Sequence, residues 1–427
     1  MSLVIVIAFL VTLALGIPVA FCLVITSLAV LVIAGDVPFY LIPQRMFTGM
    51  DSFPLMAVPF FILAGELMNS AGITHRIIRF SNALVGHIRG GLAHVNILAS
   101  MFFAGISGSA VADTAALGSI LIPAMEKDGY SKTFSAAVTA ASSIIGPIIP
   151  PSIPVVIFAL VGSVSVGGLF LAGVVPGVLV GLGLMVVSYI ISRKHHYGTK
   201  RPLVSLREFG SSLVGAIIPI LMPVIIMGGI LSGVFTPTEA ASVAVAYSFI
   251  VGFFVLRTLK PSDLPNIFYK AMVTTSVILF IMGCANIFSW ILGTQLIPQR
   301  VALAISSLTS NLWVFLLLIN ILLLVVGCFL EGLAAIIIIS PIILPMAMHM
   351  GIDPLHFGII VVMNLMIGLI TPPLGLCLFV CCSVANLDLG RLIRVMGPFI
   401  FVEIIALLIV TYFPQIVLFI PHLFGYN

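Results

Sequence analysis

Charged residues are scarce in this chain: 17 Lys and Arg and 13 Asp and Glu make up 7% of 427 residues, against 61% hydrophobic residues. Soluble globular proteins carry about 25% charged residues. The deficit excludes a soluble globular protein, because so much apolar surface requires lipid as its solvent. A helix needs about 20 apolar residues to cross a hydrocarbon core of about 30 Å, so the chain has room for roughly a dozen crossings.

The amino-terminal region lacks the basic segment and the short apolar core of a cleavable signal peptide. Residues 2–34 form an apolar run without charge, and the first charged residue is Asp36. The apolar core of a signal peptide is about 7–15 residues long. The run therefore predicts a first membrane-spanning helix that is long and tilted.

Zinc-binding and catalytic patterns are also missing. The six cysteines show no zinc spacing and no flanking His cluster, which favours small apolar packing residues. The run Gly105-Ile-Ser-Gly-Ser does not complete the Gly-x-Ser-x-Gly turn of a serine hydrolase. No His lies at this polar tip or in the proline-rich stretch described below, so a nucleophile–base pair is absent. The sequence predicts that the chain is not an enzyme and needs no cofactor.

One basic segment divides the chain into halves. Residues 193–211 hold five of the seventeen Lys and Arg residues, and the positive-inside rule places such a linker in the cytoplasm. We therefore predict a first half at 1–192 and a second half at 212–427.

The two halves repeat each other at a fixed offset. Ile-Gly-Pro-Ile-Ile-Pro-Pro at 145–151 matches Ile-Gly-Leu-Ile-Thr-Pro-Pro at 367–373, an offset of 367 − 145 = 222 residues. The same offset pairs Gly105 with Gly327 without a gap. Such a repeat is typical of a secondary transporter whose site lies at the repeat interface. The sequence alone does not distinguish parallel from inverted repeats; inverted repeats fit a cytoplasmic linker with both termini outside.

The first half contains a hairpin and a broken helix. Residues 91–126 are two apolar segments, each too short to span comfortably, around a polar tip. This predicts a re-entrant helical hairpin, because non-helical backbone survives at membrane depth only where it lines a cavity or is packed in protein. The prolines of 147–154 cannot continue a helix, so we predict an unwound stretch at 143–152.

Asp113 at this tip predicts a cation site. Placing a carboxylate at the bilayer centre costs about 2.5–3.5 kcal/mol, so it needs a partner, and oxygen ligands suit hard cations such as Na⁺. There are two alternatives to this cation site. Asp113 is the N-cap of a helix, or the serine hydroxyls serve helix packing. The predicted Na⁺ ligands are the side chains of Ser107, Ser109, Asp113 and Ser143 and the carbonyls of Gly146, Ile149 and Pro151.

The second half repeats the order of hairpin and unwound stretch with other side chains. A second hairpin is predicted at 313–348, with Glu331 at its tip, and a second unwound stretch at 364–374. We predict a second cation site from the backbone near Gly327 and Gly368 and from the Thr371 hydroxyl. Glu331 either ligates this cation or faces the solute.

These motifs resemble one known family. The run Gly105-Ile-Ser-Gly-Ser-Ala-Val-Ala-Asp-Thr-Ala-Ala116 and the run Pro147-Ile-Ile-Pro-Pro-Ser152 are similar to the large membrane subunit of tripartite ATP-independent periplasmic (TRAP) transporters. Three further stretches, 57–66, 235–240 and 368–373, extend the resemblance across nearly the whole chain.

The resemblance implies an all-α, multi-pass protein of the bacterial inner membrane with two inverted repeats. It implies an elevator-type transporter, in which a transport domain with two re-entrant hairpins moves against a scaffold. The implied partners are a small four-helix membrane subunit, a periplasmic solute-binding protein and a small organic anion, with Na⁺ as the coupling ion and no nucleic acid. The two repeats account for all 427 residues, so we expect the small subunit to be a separate chain.

The resemblance leaves the solute open. Relatives that carry sialic acid place an acid at the second tip beside the solute, and this position is Glu331 here, rather than an aspartate. C4-dicarboxylates, sugar acids, keto acids and sialic acid remain candidates, and a stand-alone Na⁺/carboxylate symporter without a binding protein is the alternative function. The predicted solute contacts are Ser109, Ser152, Glu331 and Asn364.

Overall fold

The architecture of the chain comes from a computed structural model that describes residues 2–34, 38–199, 202–296, 311–372 and 375–426. Regular structure within these ranges is helical throughout, without a β-strand. Eight of the helices are long and apolar enough to cross a membrane. The predicted all-α, multi-pass fold is confirmed.

The helices of the first half run from the amino terminus to the basic linker. They are α1 (Ser2–Ala14), α2 (Val19–Ala34), α3 (Leu41–Met50), α4 (Ala57–Ser70), α5 (Ile73–Val85), α6 (Gly91–Ser107), α7 (Ala110–Lys127), α8 (Lys132–Ser143), α9 (Ile153–Gly162) and α10 (Val166–His195).

The helices of the second half follow the linker. They are α11 (Leu206–Leu231), α12 (Pro237–Ile250), α13 (Leu264–Thr294), α14 (Leu312–Phe329), α15 (Gly332–His349), α16 (Pro354–Gly368), α17 (Leu376–Ala385), α18 (Leu389–Tyr412) and α19 (Pro414–Leu423).

The amino-terminal apolar run is broken, so the prediction of one long tilted helix over 2–34 is wrong. Gly16 adopts a left-handed conformation with φ 74°, which ends α1, and Pro18 stands just before α2. Helices α1 and α2 pack on each other. Hydropathy did not reveal the break, because glycine and proline interrupt the backbone without making the run less apolar.

The helix bounds follow the 222-residue offset closely. Helix α7 begins at Ala110 and ends at Lys127, and α15 begins at Gly332 and ends at His349, each 222 residues later. Helices α6 and α14 likewise end at Ser107 and Phe329. The two hairpins therefore have the same plan, although their tips carry different side chains.

Helices from different halves pack in reciprocal pairs. Helix α7 packs on α17, and its repeat equivalent α15 packs on α9, which is the equivalent of α17. In the same way α8 packs on α18 while α16 packs on α10, and α10 packs on α18. Exchanging the halves thus exchanges the two members of each of these pairs, as in a molecule with two-fold pseudo-symmetry. The opposite membrane orientations that inverted repeats require stay a prediction.

The helix breaks differ between the halves. In the first half, α8 ends at Ser143 and α9 begins at Ile153. In the second half, α16 continues to Gly368, so the predicted unwinding from residue 364 is wrong at its start. Residues 364–368 contain no proline, and Pro372 is the first that can stop the helix. Residues 373 and 374 of the predicted stretch lie outside the described residues.

The linker between the halves is shorter than the basic segment. Helix α10 carries Arg193 and Lys194 in its last turn, where cations complement the helix dipole. Helix α11 begins at Leu206, with Ser205 as its N-cap. Of the predicted linker 193–211, residues 196–205 lie between helices, and residues 200 and 201 lie outside the described residues.

Buried amides join the helices that carry the breaks. Asn96 on α6 donates to the Thr139 hydroxyl on α8 at 2.7 Å. In the second half, Asn364 on α16 donates to the Asn320 side chain on α14 at 2.8 Å, and Asn320 donates to Thr411 on α18 at 3.0 Å. These bonds fix each hairpin against the broken helix behind it, since a buried amide left unpaired costs about 1–3 kcal/mol.

Candidate functional site: two hairpin tips around a cavity

The first tip is a tight turn between α6 and α7. Gly108 adopts φ 59° and ends α6, and an added Cβ there would lie 3.2 Å from the Pro151 carbonyl oxygen. The Ser109 hydroxyl caps α7 by accepting from the Ala112 N–H at 3.4 Å. Glycine at 108 thus permits both the left-handed turn and the close approach of the tip to the first helix break.

Asp113 lies in the first turn of α7 and is fully buried. The Ser107 hydroxyl donates to its Oδ1 at 2.5 Å. Because Ser109 occupies the N-cap position, the alternative of Asp113 as the helix N-cap is wrong. Its other oxygen, Oδ2, has no hydrogen-bond partner among the described residues.

The unpaired oxygen of Asp113 faces the first helix break. A Cβ added to Gly146 would overlap Asp113 Oδ2 and would lie 3.2 Å from the Ser143 carbonyl oxygen. Asp113 Oδ2, the Gly146 backbone and the Ser143 carbonyl therefore meet at one point. A buried carboxylate oxygen without a donor needs a proton or a cation, and the oxygens gathered here are ligands that a hard cation prefers.

Ser143 belongs to a hydroxyl pair that the sequence did not predict. Thr114 Oγ1 donates to Ser143 Oγ at 2.7 Å, and Ser143 Oγ donates to the Ala140 carbonyl at 2.8 Å. Thr114 follows Asp113 directly in the chain, so both residues of α7 face the end of α8. This adjacency is the signal that sequence reasoning passed over.

The Ser152 hydroxyl makes hydrogen bonds within the first break. Its hydroxyl donates to the Pro147 carbonyl and accepts from the Val155 N–H at 3.3 Å as the N-cap of α9. The Ile149 side chain packs against Gly177 on α10. Pro147 lines the cavity described below, whereas Ser152, Ile149 and Pro151 are not among its lining residues.

The second tip places a carboxylate where the first has a hydroxyl. Glu331 is the N-cap of α15 and accepts from the Ala334 N–H at 3.0 Å, and it corresponds to Ser109 at the 222-residue offset. Glu331 lines the cavity described below. Its contact with the solute stays a prediction.

Gly327 and Gly368 pack backbone against backbone. A Cβ at Gly327 would lie 3.2 Å from the Gly368 Cα, and a Cβ at Gly368 would overlap the Gly327 carbonyl carbon. The Thr371 hydroxyl donates to the Ile367 carbonyl at 2.7 Å. The structure therefore brings Gly327 and Gly368 together, with Thr371 one turn beyond the end of α16.

Asn364 lies apart from the cavity that the two tips border. Its side chain is fully buried in the polar contact with Asn320 and also donates to the Ile360 carbonyl at 2.7 Å. It is absent from the residues that line the cavity. The structure assigns Asn364 to helix packing and does not bring it to the predicted solute site.

A cavity of about 820 Å³ lies in front of both tips. Its walls include Ser107 to Ala112 of the first tip, Ile153 at the start of α9, and Glu331 of the second tip. The opposite walls come from α2, α4 and α13. Three half-helix N-termini, those of α7, α9 and α15, therefore border one cavity, and helix N-termini favour anions.

The charged residues of the cavity wall are both acidic. Glu331 and Glu66 line it, with the polar side chains of Asn69 and Thr274, and none of its lining residues is Lys, Arg or His. Lys270, exposed on α13, interacts electrostatically with Glu66 without forming an ion pair. Sequence reasoning missed Glu66 because only the fold brings α4 opposite the tips; the signal was an acid inside an apolar run.

Comparison with known families finds a match over almost the whole chain. A family model described as "Tripartite ATP-independent periplasmic transporter, DctM component" matches residues 6–416. The sialic acid TRAP transporter large permease protein SiaM of Vibrio cholerae is 45% identical over 413 residues, 96% of each chain. The C4-dicarboxylate TRAP transporter large permease protein DctM of Pseudomonas aeruginosa is 46% identical over 381 residues, 89% of each chain.

A solved transporter shares the fold. The YdaH transporter of Alcanivorax borkumensis superposes with a TM-score of 0.63 at 16% sequence identity, over 87% of this chain and 86% of that one. At this identity the likeness concerns the architecture alone.

Proposed function

The chain belongs to the family of the DctM component of tripartite ATP-independent periplasmic transporters, and we propose that it is the large permease of a Na⁺-coupled transporter that imports a carboxylate-bearing solute. It is a multi-pass protein of the bacterial inner membrane. Family membership alone does not give the coupling ion or the class of solute, and the geometry of the site supports our proposal for both.

The unpaired Oδ2 of Asp113 carries the proposal of sodium coupling. The oxygen is buried, lacks a donor among the described residues and faces the backbone of the first break. A Na⁺ ion at this point would neutralise the carboxylate and tie the tip of α7 to the end of α8. A second Na⁺ is proposed at the second break, near Gly368 and Thr371. Because Ser107 and Ser109 line the cavity, cation binding would order the surface that receives the solute.

The charges of the cavity wall support a monocarboxylate that carries hydrogen-bond donors. The N-termini of α7 and α9, with the Ser109 hydroxyl, would hold a carboxylate. Glu331 and Glu66 accept hydrogen bonds and would receive hydroxyl or amino groups, while repelling a second carboxylate. Of the candidate solutes, sugar acids and sialic acid fit this division better than C4-dicarboxylates.

The family description supports two further components. A tripartite periplasmic transporter needs a small membrane subunit and a periplasmic solute-binding protein, which we propose as the partners of this chain. Helices α11 and α13 carry large exposed apolar residues, among them Val214, Val224, Tyr269 and Met272. Lipid and the small subunit are the proposed neighbours of these faces.

The proposed transport step is an elevator movement of the two hairpins, with the breaks behind them, against α2, α4 and α13. Gly65 on α4 faces the first tip, where an added Cβ would lie 3.1 Å from the Ile106 carbonyl oxygen. Two Na⁺ with one monoanion carry one net positive charge inward, about 2.3 kcal/mol per 100 mV. With about 1.4 kcal/mol per ion from a tenfold Na⁺ gradient, the total of roughly 5 kcal/mol supports accumulation of about several thousandfold.

Reconstituted uptake tests this function. The chain, its small subunit and the binding protein are assayed in proteoliposomes with an inward Na⁺ gradient, or with K⁺ in its place. We expect uptake that needs both Na⁺ and the binding protein. Uptake without the binding protein would favour the stand-alone symporter, and sodium-independent uptake would contradict the coupling.

Glu331→Gln tests the class of solute. Gln keeps the size of the side chain and an oxygen that can cap α15, but it removes the charge that accepts from solute donors. Hydrogen bonds to a charged group contribute about 1.5–3 kcal/mol, so we expect gluconate to bind about 10- to 100-fold more weakly, and succinate more tightly. The measurement is thermal stabilisation of the two membrane subunits in saturating NaCl, without the binding protein.

The matched control is Glu126→Gln, which changes an exposed acid at the far end of α7. It should leave the affinities for gluconate and succinate unchanged. Equal binding of gluconate and succinate to the wild type, with no effect of Glu331→Gln, would refute the proposed solute class.

A further inference from the structure

Glu403 is a buried acid that the proposed transport cycle does not use. It lies near the middle of α18, the helix that packs on α8, α10, α16, α17 and α19. Its side chain is 0% exposed. The corresponding residue of the first half, Gly181 on α10, carries no side chain, so the acid is a feature of the second half alone.

Neither carboxyl oxygen of Glu403 has a hydrogen-bond partner among the described residues. An ionised carboxylate in this position would lose its hydration without compensation, at a cost of several kcal/mol. A protonated carboxyl is neutral and loses far less. The geometry therefore favours the protonated form in this conformation.

Glu403 forms no ion pair with the basic groups that the structure describes on α18 or on the helices packed against it. The titratable groups of α18 itself are Arg391, Arg394 and Tyr412, towards its two ends, and those of the packed helices are Lys132, Tyr189, Arg193, Lys194, His195, His356, Cys377, Cys381, Cys382 and His422. Lys132 lies 3.8 Å from Glu126 at the exposed start of α8. The basic residues of α10 occupy its last turn, and His356 bonds the Val410 carbonyl at 2.8 Å.

One thiol connects Glu403 with the first cation site. Cys377 lies within hydrogen-bonding reach of Thr114 and Ser143 and interacts electrostatically with both Asp113 and Glu403. Cys377 itself is fully buried. Buried polar groups therefore continue from Asp113 through the end of α8 and Cys377 to Glu403, across the packing of α17 on α7 and α8.

We propose that Glu403 is a proton-binding site, and that its protonation is thermodynamically linked to cation binding at Asp113. The second part rests on the proposed cation site, whereas the first does not. Where Asp113 is ionised, a cation bound there cancels a negative charge on the path of buried polar groups that ends at Glu403, so it eases ionisation of Glu403 and releases the proton to solution. By reciprocity, protonation of Glu403 weakens cation binding.

Infrared difference spectroscopy tests the protonation. The chain with its small subunit in lipid nanodiscs is compared with Glu403→Gln at neutral pH, in H₂O and in D₂O. We expect the wild type to show the C=O stretch of a protonated carboxylic acid, shifted in D₂O, and Glu403→Gln to lose it. Spectra of Asp113→Asn and Glu331→Gln assign the contributions of the other two acids.

Two outcomes of this experiment overturn the proton site: a wild-type spectrum without a protonated-acid band, or a band of unchanged amplitude in Glu403→Gln. If Glu403→Gln does not fold, Glu403→Asp keeps the carboxyl and must shift the band in frequency. An unshifted band in that variant overturns the site as well.

Proton release on adding NaCl tests the linkage, with a pH dye in weak buffer and choline chloride as the control salt. We expect Glu403→Gln to release fewer protons than the wild type, because only a proton displaced from Asp113 remains, and to bind Na⁺ about fivefold or more weakly at alkaline pH. Equal proton release by both proteins overturns the linkage. Absence of Na⁺ binding to the wild type defeats the proposed cation site instead, and leaves the infrared result standing.

Discussion

Replacing Asp113 with Asn is expected to abolish Na⁺-dependent uptake in proteoliposomes. The substitution keeps the size of the side chain and an oxygen that accepts from Ser107, so the tip of α7 should still form. It removes the negative charge whose second oxygen faces Gly146 and the Ser143 carbonyl. Removing one partner of a buried charge pair costs about 3–5 kcal/mol, which lowers Na⁺ affinity by about 100-fold or more. Uptake and Na⁺-dependent thermal stabilisation are the two measurements.

The matched control for Asp113→Asn is again Glu126→Gln, which changes an acid of the same helix at its exposed end. It should transport like the wild type with unchanged Na⁺ dependence. If Asp113→Asn retained the sodium dependence of the wild type, Asp113 would have a packing role only, and the proposed first cation site would be wrong.

Gly368→Ala is expected to destabilise the second hairpin strongly. The added methyl would overlap the Gly327 carbonyl carbon, and backbone atoms cannot turn away as a side chain can. Helix α14 would therefore have to separate from the end of α16. Overpacking costs about 1–3 kcal/mol where side chains yield, so the loss here should lie at or above the top of that range. Thermal unfolding of the purified membrane subunits measures it.

Gly210→Ala provides the comparison, because a Cβ at Gly210 meets no heavy atom within 4 Å and no proline follows it. Alanine at this position of α11 should stabilise that helix slightly, by about 0.5–1 kcal/mol. Equal melting temperatures for Gly368→Ala and Gly210→Ala would show that the contact between Gly327 and Gly368 adjusts at little cost.

The parts of the fold that follow from glycine and proline were predictable from the sequence. The first tip and the first break lie where Gly108 and Pro147 forbid a regular helix, and these constraints are local. Hydropathy gave the membrane location for a similar reason, since it depends on composition. The start of the second break was misplaced because Asn364 and Gly368 were taken as unwound by analogy with the first half.

The composition of the site could be predicted only within single segments. Asp113 and Ser107 are six residues apart on one hairpin, so the sequence indicates their meeting. Cys377 reaches Thr114 and Ser143 only because α17 packs on α7 and α8. Glu66 faces the tips because α4 lies across the cavity. Contacts between distant segments depend on the packing of whole helices, which no local pattern encodes.

The reciprocal packing of the halves also determines when during synthesis the first tip is completed. Helix α7 begins at Ala110, and its packing partner α17 begins at Leu376, 376 − 110 = 266 residues later. At about 5–20 residues per second, the ribosome delivers that partner on the order of tens of seconds after α7. During this interval Asp113 and Thr114 stand at the membrane with one wall of their pocket still missing. A chain interrupted before Leu376 lacks that wall altogether, so its buried acid stays uncovered.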